Sequence, residues 1–169
     1  MTPDPAAVAL ARQVHDALLA RGATLAVAES LTGGALAATV TAVPGVSQTF
    51  RGGVVAYATG LKRDLLGVPA DLLDRHGPVH PLVAAAMAAG ARLRLGATYG
   101  LATTGVAGPD PQDGHPPGEV YLGLAGGEPL RLLHRRLDLT GDRATVRAGA
   151  VLAALGFLHE VLTNGNAAR

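Results

Sequence analysis

The stretch Thr24-Leu25-Ala26-Val27-Ala28-Glu29-Ser30-Leu31-Thr32-Gly33-Gly34 decides the fold. Thr24–Ala28 is a short apolar run, the pattern of a strand buried on both faces. Glu29–Gly34 is polar and Gly-rich, the composition of a tight turn. Ala35–Val43 then reads as a helix, which Pro44-Gly45 ends. A buried strand, a turn and a helix in this order make the opening unit of an α/β domain.

The flanking sequence extends this pattern. Residues 5–20 read as a helix with Val8, Ala11, Val14, Leu18 and Leu19 on one face and Gly22 as its stop. Phe50–Tyr57 reads as a strand, with Gly52-Gly53 marking a bulge or a close backbone approach. Short helices are predicted at 61–66 and 69–75, and a longer Ala-rich one at 81–95 with Pro81 in its first turn. Tyr99–Thr104 is a further strand. Gly105–Gly118 holds four Pro and four Gly and must be a loop. Glu119–Ala125 and Leu130–Leu139 read as a strand pair. Thr140 offers an N-cap for a last helix at 141–162. The expected class is α/β, with helices on both faces of a mixed, mostly parallel sheet. Residues 1–169 form one domain in this reading, frayed at 1–4 and 164–169.

The 169 residues suffice for a real core, since chains of roughly 150 residues bury about 68–70% of their unfolded surface. Hydrophobic residues make up 49% and charged residues 16%, which excludes extensive disorder. The net charge is +1 and the thirteen arginines are dispersed, so no basic stripe for nucleic acid is expected. The absence of cysteine excludes disulfides, thiolate metal sites and a thiol nucleophile. No uninterrupted apolar run approaches the roughly 18 residues that span a bilayer, and the N-terminus does not read as a signal peptide. A cytoplasmic protein is expected.

The biased composition makes rare residues conspicuous. Ser30 and Ser47 are the only serines, and Lys62 is the only lysine among fourteen basic residues. Ser30 sits at a strand end, where ligands bind in open α/β sheets. The turn that follows could offer N–H groups to a phosphate or oxyanion; equally, Ser30 or Thr32 could simply cap the next helix. Lysine can serve as a base when burial lowers its pKa, which Arg cannot do; a lone surface lysine is the plain alternative. Tyr57 ends the strand five residues before Lys62, so one turn could aim both at one pocket. Thr103-Thr104-Gly105 is another strand end running into a Gly-rich loop. Arg143 and Arg147 are one helical turn apart, suited to a shared anion, with Asp138 and Asp142 as alternative local partners. Asp110, Asp113 and His115, like His76 and His80, lack metal-ligand spacing and read as solvated loop residues. No metal or cofactor is expected.

Five segments taken together resemble one family. They are Ala28-Glu29-Ser30-Leu31-Thr32-Gly33-Gly34, Val43-Pro44-Gly45-Val46-Ser47, Gly53-Val54-Val55-Ala56-Tyr57 with Lys62, Thr104-Gly105-Val106-Ala107-Gly108-Pro109, and Gly141-Asp142-Arg143 with Arg147. Their order and spacing resemble the CinA C-terminal domain family, the PncC-like nicotinamide-nucleotide amidohydrolases, across nearly the whole chain. The chain departs from the family pattern at Leu31, where Cys is usual, and at His80, where Ser is usual. It departs again at His115-Pro116-Pro117-Gly118, where Lys-Pro-Val-Gly is usual.

The resemblance implies a three-layer α/β/α sandwich and a homo-oligomer, a dimer by expectation. It implies hydrolysis of nicotinamide mononucleotide to nicotinic acid mononucleotide and ammonia, in pyridine nucleotide recycling, without a metal. Longer relatives carry an additional N-terminal domain; the present sequence resembles their amidase part. On this basis Ser30 is the expected nucleophile, Lys62 the base and Tyr57 a proton relay. The amides near Thr32, Gly33 and Gly34 would form the oxyanion hole. Thr104 and Gly105 would hold ribose or nicotinamide, and Arg143 the phosphate, with Arg147 or Ser47 in support. The competing readings are a hydrolase of another small amide, and a nucleotide-binding or regulatory domain linked to competence or DNA damage.

Overall fold

The computed structural model describes residues 3–164. Its elements in chain order are α1 (Pro5–Leu19), β1 (Leu25–Glu29), α2 (Ala35–Thr41), β2 (Phe50–Val55), α3 (Thr59–Leu66), α4 (Ala70–His76), α5 (Pro81–Arg94), β3 (Tyr99–Gly105), β4 (Glu119–Gly126), β5 (Arg131–Asp138) and α6 (Arg143–Asn164). A 3-10 turn at Val46–Gln48 is additional to the elements expected from sequence. The strands form one sheet in the order β2-β1-β3-β4-β5. β1 pairs in parallel with β2 and β3, whereas β4 runs antiparallel to both β3 and β5. Four of the five strands therefore point the same way.

Helices cover both faces. One core joins Leu18 of α1, Leu36 of α2 and Leu155 and Leu158 of α6 to Leu25, Val27, Leu101 and Leu122 of the sheet. The other places Val83, Met87 and Ala88 of α5, with Leu66 of α3, against Ala26, Ala28 and Ala102. The alternation along β1 explains this division, because successive side chains leave opposite faces of a strand. α5 lies close on the sheet because Gly100 and Gly123 lack side chains. A Cβ at either would collide with the carbonyl oxygen of Ala88 or Ala84.

The register shifts between Leu25 and Ala26, whose partners are Phe50 and Gly52, so the expected irregularity at the start of β2 is present. Asp4 caps α1, its carboxylate accepting from the Ala6 amide at 2.9 Å. Asn164 closes α6. Residues 1–2 and 165–169 of the expected frayed ends lie outside the described residues. Thr140 does not cap α6; Asp142 does, accepting from the Thr145 amide at 2.8 Å. Gly141 and Asp142 separate Thr140 from the first turn, so its hydroxyl cannot reach those donors. By length and composition alone α6 could cross a membrane. In this fold it buries Val146, Ala150, Ala154 and Leu158 in the core beside α1.

Candidate active site

β1 and β3 end together, and the chain leaves both strands on the same edge of the sheet. Ser30 follows β1 directly and is held by its amide, which donates to the Thr103 carbonyl at 3.0 Å. Lys62 comes from the middle of α3, 32 residues later, and is 1% exposed. Its Nζ donates to Ser30 Oγ at 3.1 Å and to the Ala56 carbonyl at 2.9 Å. No carboxylate pairs with it among the described residues. Burial therefore lowers its pKa from the ordinary lysine value of 10.5 to about 8. A primary amine beside a serine hydroxyl, with its pKa lowered to about 8, is the arrangement that can accept the serine proton.

Ser30 and Lys62 share a cavity of about 110 Å³, walled by Leu31, Pro78, Val79 and the segment Thr104–Gly108. Tyr57, Thr59, Asp110, Gln112 and Arg143 complete its lining. Tyr57 is 57% exposed, and its hydroxyl accepts from Arg143 Nη2 at 2.9 Å. Tyr57 thus stands at the cavity mouth with Arg143, outside the Ser30–Lys62 hydrogen bond. Arg143 also donates to the Gly108 carbonyl at 2.9 Å. Thr104 is buried and donates to the Pro78 carbonyl at 2.7 Å, fixing one wall.

The turn after β1 is arranged differently from the sequence expectation. Glu29, 1% exposed, folds back over the start of α2. Its carboxylate accepts from the amides of Gly34 at 2.9 Å, Leu36 at 3.1 Å and Ala37 at 2.8 Å. The Gly33 amide donates to the Ser30 carbonyl at 3.0 Å. The N–H groups of Gly33 and Gly34 are therefore committed within the protein and cannot form an oxyanion hole. The Leu31 and Thr32 amides carry no hydrogen bond among the described residues. Thr32 Oγ1 is tied to Thr103 Oγ1 at 2.8 Å. Replacing Glu29 by Ala would leave three helix-start donors unpaired, one buried (Leu36) and two partly buried (Gly34 and Ala37), an expected loss of roughly 2–4 kcal/mol. Chemical denaturation measures this, and Glu29→Gln, which keeps an acceptor oxygen, is expected to lose less.

Arg143 and Arg147 do not converge on one anion. Arg147 donates to the Thr32 carbonyl at 2.7 Å. With Gly33 and Gly34 it lines a separate groove of about 600 Å³ between α1, α2 and α6. Neither arginine pairs with Asp138 or Asp142: Asp138 binds Arg136 and Asp142 caps α6. Ser47 lies in the 3-10 turn before β2, exposed, at the sheet edge opposite Ser30. The five residues of β1 separate the two ends by about 16 Å, so within one chain Ser47 cannot meet the ligand of Ser30.

His76, His80 and His115 are not merely solvated loop residues, and His76 ends α4. His115 Nδ1 lies 2.9 Å from Glu119 Oε1. His76 and His80 stack with ring centroids 4.0 Å apart. His80 Nδ1 accepts from the Leu82 amide at 3.3 Å and so caps α5, which requires the neutral ring. Desolvation first, then His76, His115 and His134, lower its pKa. A histidine whose folded pKa is depressed gives stability that is complete above the unfolded value and is lost as pH falls through 6.5 toward the folded value. His80→Ser is expected to remove this part of the acid destabilisation while keeping a capping oxygen. Thermal unfolding of both proteins at pH 5 and pH 7.5 checks it: the parent's loss on acidification should exceed the variant's.

Sequence reasoning missed Glu29 as the helix cap and the cavity-lining roles of Pro78, Val79, Asp110 and Gln112. A carboxylate ending an apolar strand just before a helix was the available sign for Glu29. The position of residues 110–112, in the loop that leaves β3 at the ligand-binding edge, was the sign for the others.

Fold and site together define an α/β/α fold with a buried serine–lysine pair at the edge where β1 and β3 end. The chain belongs to the CinA C-terminal domain family, whose pattern matches residues 7–162. It is 55% identical over 145 residues to a CinA-like protein of Frankia casuarinae, covering 86% of this chain and 33% of that one. A putative competence-damage inducible protein of Desulforudis audaxviator is 48% identical over 152 residues, covering 89% and 36%. The chain thus spans about a third of the length of the curated relatives it matches. Among solved structures, a competence/damage inducible protein from Agrobacterium tumefaciens superposes with a TM-score of 0.90 at 32% identity, covering 96% and 99% of the two chains. A CinA superfamily protein from Klebsiella pneumoniae gives 0.88 at 34% identity, covering 94% and 98%.

Proposed function

We propose that this domain hydrolyses the carboxamide of nicotinamide mononucleotide, releasing nicotinic acid mononucleotide and ammonia. The observation that carries the reading is the 3.1 Å contact between Ser30 Oγ and a buried Lys62 amine whose pKa lies near 8. In the neutral amine, one N–H stays on the Ala56 carbonyl and the lone pair turns to the serine proton. Ser30 Oγ attacks the carboxamide carbon while its proton passes to Lys62. The oxyanion takes the Leu31 amide, the free donor next to the nucleophile, in place of Gly33 and Gly34. Lys62 then gives its proton to the departing nitrogen, so ammonia leaves and an acyl ester remains on Ser30. Water adds with Lys62 again as base, the ester bond breaks, and the carboxylate product departs.

Tyr57 and Arg143 hold the part of the substrate outside the narrow cavity, Arg143 toward the phosphate and Tyr57 as its hydrogen-bond partner. Arg147 supports the Thr32 turn rather than the ligand. The family resemblance supports the choice of substrate, and the small cavity suits a flat carboxamide head with its ribose phosphate at the mouth. We also propose that the protein works as a homodimer in the cytoplasm. Size-exclusion chromatography with light scattering tests the assembly.

Ammonia release across nicotinamide mononucleotide, nicotinamide riboside, free nicotinamide, glutamine and asparagine tests the substrate. The mononucleotide should be preferred over the riboside and the free base. Turnover of the amino acids alone would make this a hydrolase of other amides. Calorimetric binding of the mononucleotide without ammonia would make it a nucleotide-binding regulatory domain.

A further inference from the structure

We infer that Asp110 selects the substrate by the positive charge of its ring; this rests on the reading of the cavity as a mononucleotide amidase site. A nicotinamide joined through its ring nitrogen to ribose is a pyridinium cation. The cavity that would receive it is lined by two basic side chains, Lys62 and Arg143, and by a single carboxylate, Asp110. A cationic ring entering beside the Arg143 guanidinium, and beside Lys62 whenever that amine is protonated, is repelled unless a negative charge stands nearby. Arg143 does not use Asp110 for its own neutralisation, because its donors go to the Gly108 carbonyl and the Tyr57 hydroxyl. Asp110 has no side-chain hydrogen bond or ion pair among the described residues, leaving its carboxylate available to a ligand.

The loop that brings Asp110 into the cavity lining is tied on both sides of it. Arg143 pins Gly108, two residues before it. Gln112, two residues after it, is locked to His115 by paired backbone bonds of 3.0 and 2.9 Å. His115 is in turn anchored on the buried Glu119, and the Gly118 amide donates to the Val106 carbonyl at 2.8 Å to close the base of the loop. A carboxylate carried on backbone pinned on both sides costs less ordering when a ligand arrives, which favours its use in recognition.

The test compares nicotinamide mononucleotide with its benzamide C-nucleotide, in which carbon replaces the ring nitrogen and the charge is lost. Shape, ribose, phosphate and carboxamide are otherwise kept. kcat/KM for each is measured with the parent protein and with Asp110→Asn. The ratio of the two substrates cancels their different intrinsic reactivities. Asp110→Asn should lower that ratio about tenfold, the size of one charge pair at a partly exposed site, mainly through KM for the cationic nucleotide. An equal loss on both substrates would overturn the inference, assigning Asp110 to the ribose hydroxyls or to loop shape. An unchanged ratio would overturn it as well. If the parent turns over neither nucleotide, the amidase reading falls and this inference with it; turnover by the parent with an unshifted ratio removes this inference alone.

Discussion

Replacing Ser30 by Ala is expected to lower turnover of nicotinamide mononucleotide by at least about 10⁴-fold while leaving its binding within a few-fold. Losses of this order follow removal of a nucleophile from an acyl-transfer site. Ser30 is the only hydroxyl bonded to the Lys62 amine among the described residues, and no cysteine can substitute for it. The side chain is small and its removal leaves the backbone bond from its amide to Thr103 in place, so the fold should hold. Ammonia release measures the first effect and calorimetry the second. Mass spectrometry after acid quench should find the acylated Ser30 peptide in the parent and none in the variant. A variant that retains a substantial fraction of parent activity would remove Ser30 from the nucleophile's role.

Lys62 gives the second large effect, and it separates activity from stability. Lys62→Met should abolish turnover to a similar degree, yet the protein should become more stable near neutral pH. The sign follows from the depressed pKa. Between about 8 and 10.5 the unfolded chain holds the lysine proton and the folded one does not, so the parent gains stability as pH rises through that window. Below about 8 the folded protein carries the full penalty of a buried ammonium. Methionine removes it, for an expected gain of up to about 3 kcal/mol, less the bonds lost to Ala56 and Ser30. Denaturation at pH 7 and pH 10 should show the advantage of the variant shrinking with pH. Lys62→Arg serves a different purpose: it keeps a cation but removes the base, since a guanidinium does not deprotonate.

The sequence displayed the parts of this protein that depend on local order. The apolar run 24–28, the glycines after Ser30 and Pro81 at a helix start placed β1, the turn and α5 to within a residue or two. Scarcity in an Arg-rich, Ser-poor background drew attention to Ser30 and Lys62 singly; their pairing was expected from the family resemblance. What escaped is what the tertiary fold decides. Glu29 takes the α2 amides because β1 ends pointing its side chain over the helix start, which leaves Gly33 and Gly34 nothing to offer a ligand. Arg143 meets Tyr57 across 86 residues of sequence, a contact that no spacing rule encodes. Ser47 shares the family's motif, yet the length of β1 carries it to the far edge of the sheet. The antiparallel β4 was legible from its hairpin with β5, but not the return of loop 106–118 that brings Asp110 and Gln112 over the cavity.

The most direct measurement is the pH dependence of ammonia release from nicotinamide mononucleotide between pH 6 and pH 10, for the parent and Lys62→Arg side by side. The parent rate should climb with pH and level off above about 8, following deprotonation of the buried amine, while Lys62→Arg stays at background throughout. Ammonia release by Lys62→Arg at the parent rate, or a parent protein that releases none at any pH, would contradict the account.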